Sequence, residues 1–363
     1  MAVNIGGLYK SHFDGWRNFF SGLGGGQDKT QQTFFKEFPI LIYEDLSRLW
    51  YGDGIGKKIV SAPADDMTKN WIKIAHDDDN ILMKELMRLK SKSKFNLVTK
   101  WMRLYGGGVI VMGIRDSGRL TKPVRGWPNN INIAGIDWLE VYSSADVDNI
   151  NQMDIVKKTR DPLFGDIEEF RIRTKAGNSF RVHRSRCLVF KGEPSPARID
   201  SIGFDNIYWG ISALQTVYEN IRTFGGVTQS IANILYEFII GKYTIANLEE
   251  LLADKKIEDI YTRLNIIDRS KSMIQAVLLG PNEKYERDTA NVVGLADLMD
   301  KFMIILSAVS EIPATRLWGQ SPAGENATGE SDLTNYYDFI ISKQESQITE
   351  PTQTLVEYIN SYK

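Results

Sequence analysis

Cysteine is almost absent from this chain. Cys187 stands alone, so no disulfide can form within it, and a lone thiol suits a reducing compartment. There are only three histidines, His12, His76 and His183, too few for a rich metal or acid–base centre. Positive charge is not in excess: 44 Lys and Arg against 46 Asp and Glu leave a net charge of −2. A tight duplex-DNA binder carries a clear basic surplus. No apolar run approaches the ~20 residues a membrane helix requires; Phe302–Val309 is apolar but short. The N-terminus lacks the continuous apolar segment of a secretory signal. A phosphate loop with Gly-x-x-x-x-Gly-Lys-Ser/Thr spacing is also missing. Gly106-Gly107-Gly108 precedes an apolar stretch instead, and reads as a turn where backbone packs closely.

What the chain has in quantity is apolar residues, 42% of 363, with 25% charged. That is ordinary for a globular protein and long enough for two or three domains. The pattern is mixed α+β. Residues 1–30 carry Gly6, Gly7, Gly15, Gly22 and Gly24–Gly26 among Phe13, Trp16, Phe19 and Phe20. They read either as an arm that docks on a neighbour or as a frayed terminus. Helices are expected over Tyr43–Trp50 and Gly56–Ser61, the second stopped near Pro63 with a short turn at Ala64–Thr68. Trp71–Ala75 has strand character. His76-Asp77-Asp78-Asp79-Asn80 offers caps for a helix running to about Tyr105. Consecutive aspartates rarely converge on one ion, so no metal site is expected there. From Gly106 to Phe190 the pattern is β-rich. Strands are expected at Val109–Ile114, Asp137–Ser143, Glu168–Thr174, Ser179–Val182 and Cys187–Phe190, with a turn at Lys175–Asn178.

After Trp209 the period lengthens to that of a helix, with Ile211, Leu214, Val217, Tyr218 and Ile221 on one stripe. Gly225-Gly226 should bend or interrupt it before it resumes at Val227, Ile231, Ile234, Leu235 and Phe238. Gly241–Thr289 is a mixed insert with a helix near Leu248–Leu252 and a hairpin, Met273–Arg287, across Gly280-Pro281-Asn282. A second long helix is expected over Asn291–Ser310, its stripe formed by Leu295, Leu298, Met299, Phe302, Ile305, Leu306 and Val309. Glu311–Glu330 then breaks helicity with Pro313, Gly319, Pro322, Gly324 and Gly329. A polar loop of ~20 residues between two helices tends to be functional. A last helix starts near Ser331, with a kink or break expected at Pro351.

Several residue groups invite a chemical reading. Lys84, Arg88, Lys90, Lys92, Lys94, Lys100 and Arg103 concentrate positive charge on one segment. Contact with nucleic acid or an acidic capsid surface is one reading, and a solvated face is the other. His183-x-Ser185 is half of a two-histidine phosphoesterase site, but neither His12 nor His76 repeats the pattern. His183 with Cys187 falls two ligands short of structural zinc. Asn326-Ala327-Thr328 has the form of a glycosylation sequon, with nothing to suggest secretion. No catalytic residue, metal ligand or cofactor is expected.

The segment Glu311–Asp332 (EIPATRLWGQSPAGENATGESD) carries an Ile-Pro, an aromatic-Gly and a Gly-x-Asn-Ala-Thr-Gly-Glu run leading into a Tyr-rich helix. It resembles the tunnel-loop signature of the portal proteins of tailed bacteriophages. Ile59–Trp71 (IVSAPADDMTKNW), Leu104–Ile110 (LYGGGVI) and Val182–Gly192 (VHRSRCLVFKG) resemble the same family in the same order, and Trp209–Gly226 does so more weakly. The resemblance implies an α+β portal fold assembled as a ring, commonly a dodecamer. Its parts would be an N-terminal arm and first helix (1–55), a wing body (56–210), a wing and stem helix (211–240), a clip (241–289), a second stem helix (290–310), a tunnel loop (311–330) and a kinked wing helix (331–363). Family members usually continue into a helical crown, which in a chain ending at Lys363 would be short or missing.

The function implied is structural. The ring would sit in the virion at the unique capsid vertex, after assembly in the host cytoplasm, and pass double-stranded DNA during packaging and ejection. Its partners would be terminase, a head–tail adaptor, the major capsid protein and a scaffold, with no membrane involved. Arg316, Trp318, Gln320, Ser321, Glu325, Asn326 and Thr328 would line the tunnel loop, Trp318 as a packing anchor rather than a wedge against DNA. Lys242, Lys255, Lys256, Glu258 and Asp259 would tune docking at the clip. Near-neutral overall charge fits a channel that holds DNA without gripping it, because duplex affinity rises steeply with each phosphate neutralised. The alternatives are a head–tail adaptor ring protein and, in a different class, a soluble phosphate-handling enzyme built on His183 and the glycine run.

Overall fold

The computed structural model of the chain describes residues 40–74, 80–150, 154–174, 176–195, 208–237, 239–244, 284–289, 294–319 and 330–363, with the single positions 262 and 265. The expected arm at 1–30, the caps at 76–79, the helix near 248–252 and residues 273–283 of the expected hairpin fall outside them. All elements below belong to one unit, Leu41–Lys363.

At its centre lies a strand with no solvent-facing side. β1 (Gly107–Ile114) is the middle of a three-stranded antiparallel sheet, between β2 (Ile136–Ser143) and β5 (Cys187–Lys191). Side chains alternate along a strand, so β1 feeds two cores. Ile110 and Met112 join Leu139, Val141, Leu188 and Phe190 in a large cluster with the helices. Val109 and Val111 join Cys187, Phe170, Ile172 and Trp209 in a smaller one on the other face. That second face is covered by the hairpin of β3 (Glu169–Arg173) and β4 (Ser179–His183), paired with Phe170 opposite Val182. Each fully buried Val or Ile contributes ~1.5–3 kcal/mol.

The helical face is built from α1 (Tyr43–Gly52), α2 (Gly54–Lys69), α3 (Ile81–Arg88) and α4 (Ser91–Tyr105). Three expectations are corrected here. First, α2 does not stop at Pro63; the proline lies inside it. A proline has no N–H for the carbonyl one turn back. The guanidinium of Arg103 supplies the missing donor: its Nη2 donates to the Ile59 carbonyl (3.0 Å) and its Nε to Val60 (3.2 Å). Second, Trp71–Ile74 is not in a strand, and no sheet edge among the described residues pairs with it. Third, the segment 81–105 is two helices, broken where Lys90 takes φ 52°. The hydrophobic pattern requires this. At 100° per residue, Leu86 and Leu89 would face nearly opposite Phe95, Val98 and Met102 on one straight helix. All five are buried, so the chain re-aims at Lys90.

Three glycines make the junction with the long helix α5 (Ala213–Glu237). The Gly192 N–H donates to both the Gly106 carbonyl (2.9 Å) and the Trp209 carbonyl (3.0 Å). Gly106 and Gly210 have φ of +84° and +111°, and a Cβ on Gly106 would lie 2.3 Å from the Gly210 carbonyl oxygen. A Cβ on Gly107 would enter the Trp209 ring, at 2.4 Å. The glycine run is thus a close-packing device, and the phosphate cradle considered for it is excluded. Ser212 accepts from the Leu214 N–H (3.1 Å), and α5 then runs as one helix through Gly225-Gly226, so of the expected bend or interruption there is no interruption. Two glycines cost about 1 kcal/mol each relative to Ala, which the packing of α5 on α6 (Leu295–Ser310) outweighs.

β6 (Ile239–Thr244) leaves the end of α5 and pairs antiparallel with β7 (Lys284–Thr289), Tyr243 opposite Tyr285, closing the base of the insert. The chain ends in α7 (Ala314–Leu317), α8 (Glu330–Gln347) and α9 (Thr349–Asn360). The expected break falls at Ile348. Pro351 sits in the first turn of α9, where its missing N–H is not needed. α9 docks on the body through the Tyr358 hydroxyl, which donates to the Ser185 carbonyl (2.6 Å). The 115–135 connection is pinned by a buried pair: Arg186 Nη2 meets Asp116 Oδ2 at 2.7 Å, the two side chains 0% and 1% exposed.

Two predictions follow from this packing. Gly210→Ala should cost about 2–5 kcal/mol, the sum of a left-handed backbone and a clash with no flexible neighbour, measured by denaturant unfolding. The second concerns Glu85, 5% exposed, which accepts from Arg88 (2.6 Å) and Tyr362 (2.9 Å) and pairs with Lys363 (3.1 Å). Arg88 foremost holds its carboxyl down from 4.5 to about 2. A depressed carboxylate stabilises the fold above its unfolded pKa and loses that stability as pH falls through the folded one. Glu85→Gln should therefore destabilise at pH 7 by roughly 3 kcal/mol, the difference from wild type vanishing between pH 4.5 and about 2 in unfolding curves taken across that range.

Candidate functional site

The loop that follows α6 is held at both roots by one carboxylate. After Ser310 the chain turns through Glu311 (φ 57°), Pro313 precedes the single turn of α7, and Gly319 (φ +75°) opens the loop. Ile312 and Leu317 are buried and fix this turn to the body. Arg316 points to α2 and grips Asp66 with both arms, Nε to Oδ2 at 2.9 Å and Nη2 to Oδ1 at 3.1 Å. From the far side of the loop, the Tyr336 hydroxyl on α8 donates to the same Oδ2 at 2.8 Å. The Asp66 side chain is 12% exposed and that of Arg316 36%. The Asp66 carboxylate raises the Arg316 pKa. Burial, then the Asp66 hydrogen bond, raises that of the Tyr336 hydroxyl.

Trp318 is the second anchor. Its Nε1 donates to Ser307 Oγ (2.9 Å) and the Met303 carbonyl (3.2 Å) on α6, and its ring lies 5.3 Å from that of Phe224 on α5. Of the expected loop residues, Arg316 and Trp318 are placed, both at the root. Gln320, Ser321, Glu325, Asn326 and Thr328 lie outside the described residues. In the insert, Lys242 stands on β6 opposite Glu286, and Lys255, Lys256, Glu258 and Asp259 lie outside. Sequence reading missed Asp66. Nothing in the run Asp65-Asp66 distinguishes the carboxylate that pairs with Lys100 (2.8 Å) from the one that ties the loop.

The two long helices expose apolar surface. α5 buries Leu214, Val217 and Ile221 in its first turns, while Ile234 near its end is exposed. On α6 the expected stripe divides. Leu306 is buried, but Leu298, Ile305 and Val309, at 44%, 47% and 39%, share a face that meets solvent in the single chain. Their spacing of seven and four keeps them in line on a helix.

The other candidates have structural occupations. In the basic segment, Arg88 pairs with Glu85, Lys94 with Glu140 and Lys100 with Asp65, and Arg103 serves the carbonyls of α2. His183 is buried and accepts the Ser185 N–H at Nδ1 (3.1 Å), with the Ser185 hydroxyl 2.9 Å away. Burial lowers its pKa. Burial pushes the Cys187 thiol up to about 12. Both side chains are buried, and His183 is bonded within its own turn rather than facing a cavity of the described residues. No cluster of metal-ligating side chains occurs among the described residues, nor does any helix among them have the length and apolarity to cross a membrane.

Comparison with known proteins places the chain among relatives of sequence and of fold. The chain is 29% identical, over 95% of its length, to a protein of Caulobacter sp. (strain RHG1) named Anti-CBASS protein Acb1. It is 28% identical over 94% to one of the same name in Sphingomonas paeninsulae, and 26% identical over 92% to an uncharacterized protein of Haemophilus influenzae. It covers 56% and 55% of the two named proteins, about half their length. Among solved structures, chains from the neck of an empty GTA particle computed with C6 symmetry and of a native one computed with C12 symmetry share its fold. Both have a TM-score of 0.53 at 11% identity, the first covering 92% of this chain and 84% of that one, the second 87% and 80%. A further match is to the virion of a native gene transfer agent particle, with a TM-score of 0.52. The sequence pattern of one family, described as phage portal protein, runs from residue 44 to residue 363. With that match across the sheet, the long helices and the loop they carry, the chain belongs to the phage portal protein family.

Proposed function

We propose that this chain is one subunit of a closed ring, a dodecamer, at the unique vertex of a phage capsid. The observation that carries the proposal is the divided stripe of α6: an apolar line along a long helix that the single chain leaves in water. Large apolar surface left open marks an interaction site, and a ring of like subunits covers it by setting each helix pair against the next. Membership of the portal family and the shared fold with neck chains of particles analysed in C6 and C12 symmetry support the same reading.

In this reading residues 56–210 form the wing, α5 and α6 the stem, 241–289 the clip that docks terminase and then the head–tail adaptor, and 311–330 the tunnel loop. The capsid protein and a scaffold meet the outside of the ring. The assembly forms in the host cytoplasm and remains in the virion, passing double-stranded DNA inward at packaging and outward at ejection. Movement of the loop is confined to the stretch between its roots, because Asp66 holds Arg316 on one side and Tyr336 on the other. Arg316 accordingly serves as a fastener, and the contact with sliding phosphates falls to the weakly polar Gln320, Ser321, Asn326 and Thr328, consistent with low friction.

Two outcomes test the proposal. Wild-type protein should appear as rings with a central pore under negative-stain electron microscopy. Leu298→Asp with Ile305→Asp should give folded monomers, since each loses ~1.5–3 kcal/mol of burial at every interface; rings that survive both changes would exclude the stem interface. For the loop, Arg316→Ala should leave rings intact and change DNA packaging or retention modestly. Asp66→Ala releases both roots, and Trp318→Ala removes the second anchor. Both should speed proteolytic cleavage within 320–329 in assembled rings. The cost of opening the Asp66–Arg316 pair, intermediate in exposure, is about 1–2 kcal/mol, or roughly a tenfold gain in cleavage at the same protease level.

A further inference from the structure

A groove of about 1060 Å³ opens between the end of α2, residues 71–73, and helices α3 and α4. Its floor is apolar. Met83, Leu86 and Met87 come from one side of α3, at the three- and four-residue spacing that aligns them, and Trp71 and Ile72 join them from the stretch after α2. Leu86 is buried and Trp71 and Ile72 pack against the core, but Met87 is 69% exposed. The rim is cationic. Lys69 and Lys73 come from the end of α2 and the stretch after it, Lys90 and Lys92 from the junction of α3 and α4, and all four are exposed. Lys92 donates to the Lys69 carbonyl (2.9 Å), a bond that leaves its charge in place. The two carboxylates that line the groove are engaged elsewhere, Asp65 with Lys100 and Asp66 with Arg316 and Tyr336. Asp77, Asp78 and Asp79 follow Lys73 in sequence, and all three together would not offset four lysines.

We propose that this groove docks a peptide segment of another protein, one that carries apolar side chains flanked by carboxylates. The apolar side chains would cover Met83, Met87 and Ile72, and methionine, unbranched and polarizable, adapts to the shape of what it meets. The carboxylates would meet the lysines of the rim, where opposite charge steers the encounter and fixes the register of the segment. Other occupants match only part of the site. A small anion would use the lysines and leave the floor in water. A nucleic acid would do the same, because the floor offers its bases a single aromatic ring, Trp71, already packed 4.6 Å from that of Phe95, whereas single-strand binders present several rings for stacking. A membrane surface is reached by apolar groups on a protruding face, and these lie at the bottom of a concavity. The groove also borders the loop root, since Asp66 and Arg316 line it, so a docked segment would abut the pair that holds the loop.

The test is selection from a displayed random-peptide library on the intact protein, followed by titration of the enriched peptides in solution. The enriched sequences should be acidic with apolar anchors, compete with one another for one site, and bind more weakly as salt is raised. Met87→Asp puts a charge on the floor, and Lys73→Glu with Lys90→Glu reverses part of the rim; all three positions are exposed, so the fold should survive, as unfolding curves would show. Each variant should weaken binding by about tenfold or more, and the reversed rim should select basic peptides instead. No enrichment, enrichment of basic sequences by the wild type, or acidic peptides indifferent to both variants would overturn the proposal. So would a DNA oligonucleotide that binds through these residues where no peptide does. Peptides selected only after Asp77, Asp78 and Asp79 are changed to Asn would give the rim to the chain's own acidic run. Peptides selected only by the Leu298→Asp, Ile305→Asp protein would give the groove to a neighbouring copy. Either result excludes a foreign segment as the occupant. The proposal does not rest on the ring reading, since wild-type protein that stays monomeric serves the selection equally well.

Discussion

Backbone meets backbone where β1 begins, β5 ends and α5 sets out, and most of the architecture hangs from that crossing. Gly106, Gly192 and Gly210 occupy it because any side chain there would strike a carbonyl: a Cβ on Gly192 would lie 2.7 Å from the Gly106 oxygen and one on Gly210 2.6 Å from that of Glu193. The contact fixes the direction in which α5 leaves the sheet. α5 in turn receives α6, and α6 carries the loop. A junction of peptide groups is stiff in a way a side-chain contact is not, since it has no rotamers to yield. Glu193 extends it: its backbone bridges to Ile211, and its carboxylate takes Lys343 of α8. One small region therefore orients the long helix and the helix that returns from the loop.

From this base the molecule divides into a part complete in itself and a part that is not. The sheet, its covering hairpin and α1–α4 bury two continuous cores. Their buried polar groups are largely matched, with Arg103 repairing the proline in α2 and Arg186 neutralising Asp116. Replacing either arginine by an apolar residue would strand a partner: an acceptor in the first case, a charge in the second. Past Phe224 on α5, and along one face of α6, there is no comparable cover among the described residues. In the ring we propose, the stability of that region would be tied to subunit concentration.

How far the sequence spoke for this arrangement can be judged element by element. The five strands of the β-rich stretch were legible because alternation and turn glycines act locally. Each lies within two residues of its expected bounds. The break at Lys90 was also written in the sequence, as a change of phase between Leu86, Leu89 and Phe95, Val98, but a search for continuous apolar spacing passes over it. The unbroken α2 was not legible. Pro63 signals a stop, and the donor that cancels the signal stands 40 positions later at Arg103. Asp66 was hidden for the same reason. Its partners are 250 and 270 residues away, and pairings of that range leave no periodic trace. The family resemblance carried what local rules could not, because a motif records the outcome of such distant contacts without explaining them.

In the ring we propose, the charge of the loop root would bear on how a channel can be both specific in shape and indifferent to its cargo. Arg316 is the only cation between Glu311 and Glu330, so a free guanidinium there, repeated around a ring, would present a collar of positive charge to the duplex. Each subunit adding one phosphate contact would steepen both affinity and salt dependence. Asp66 prevents this. By taking both arms of the guanidinium it spends the charge on holding the loop root, and by taking Tyr336 with its remaining capacity it fixes the return of the chain as well. The same pair thus supplies rigidity and removes attraction. A lysine at position 316 would not substitute: a point charge on a flexible stem cannot grip both carboxylate oxygens with fixed geometry. It would leave the root looser and the collar more positive at once. That two separate requirements fall on one planar, bidentate contact explains why the carboxylate sits on α2, in the body of the fold, rather than within the loop it restrains.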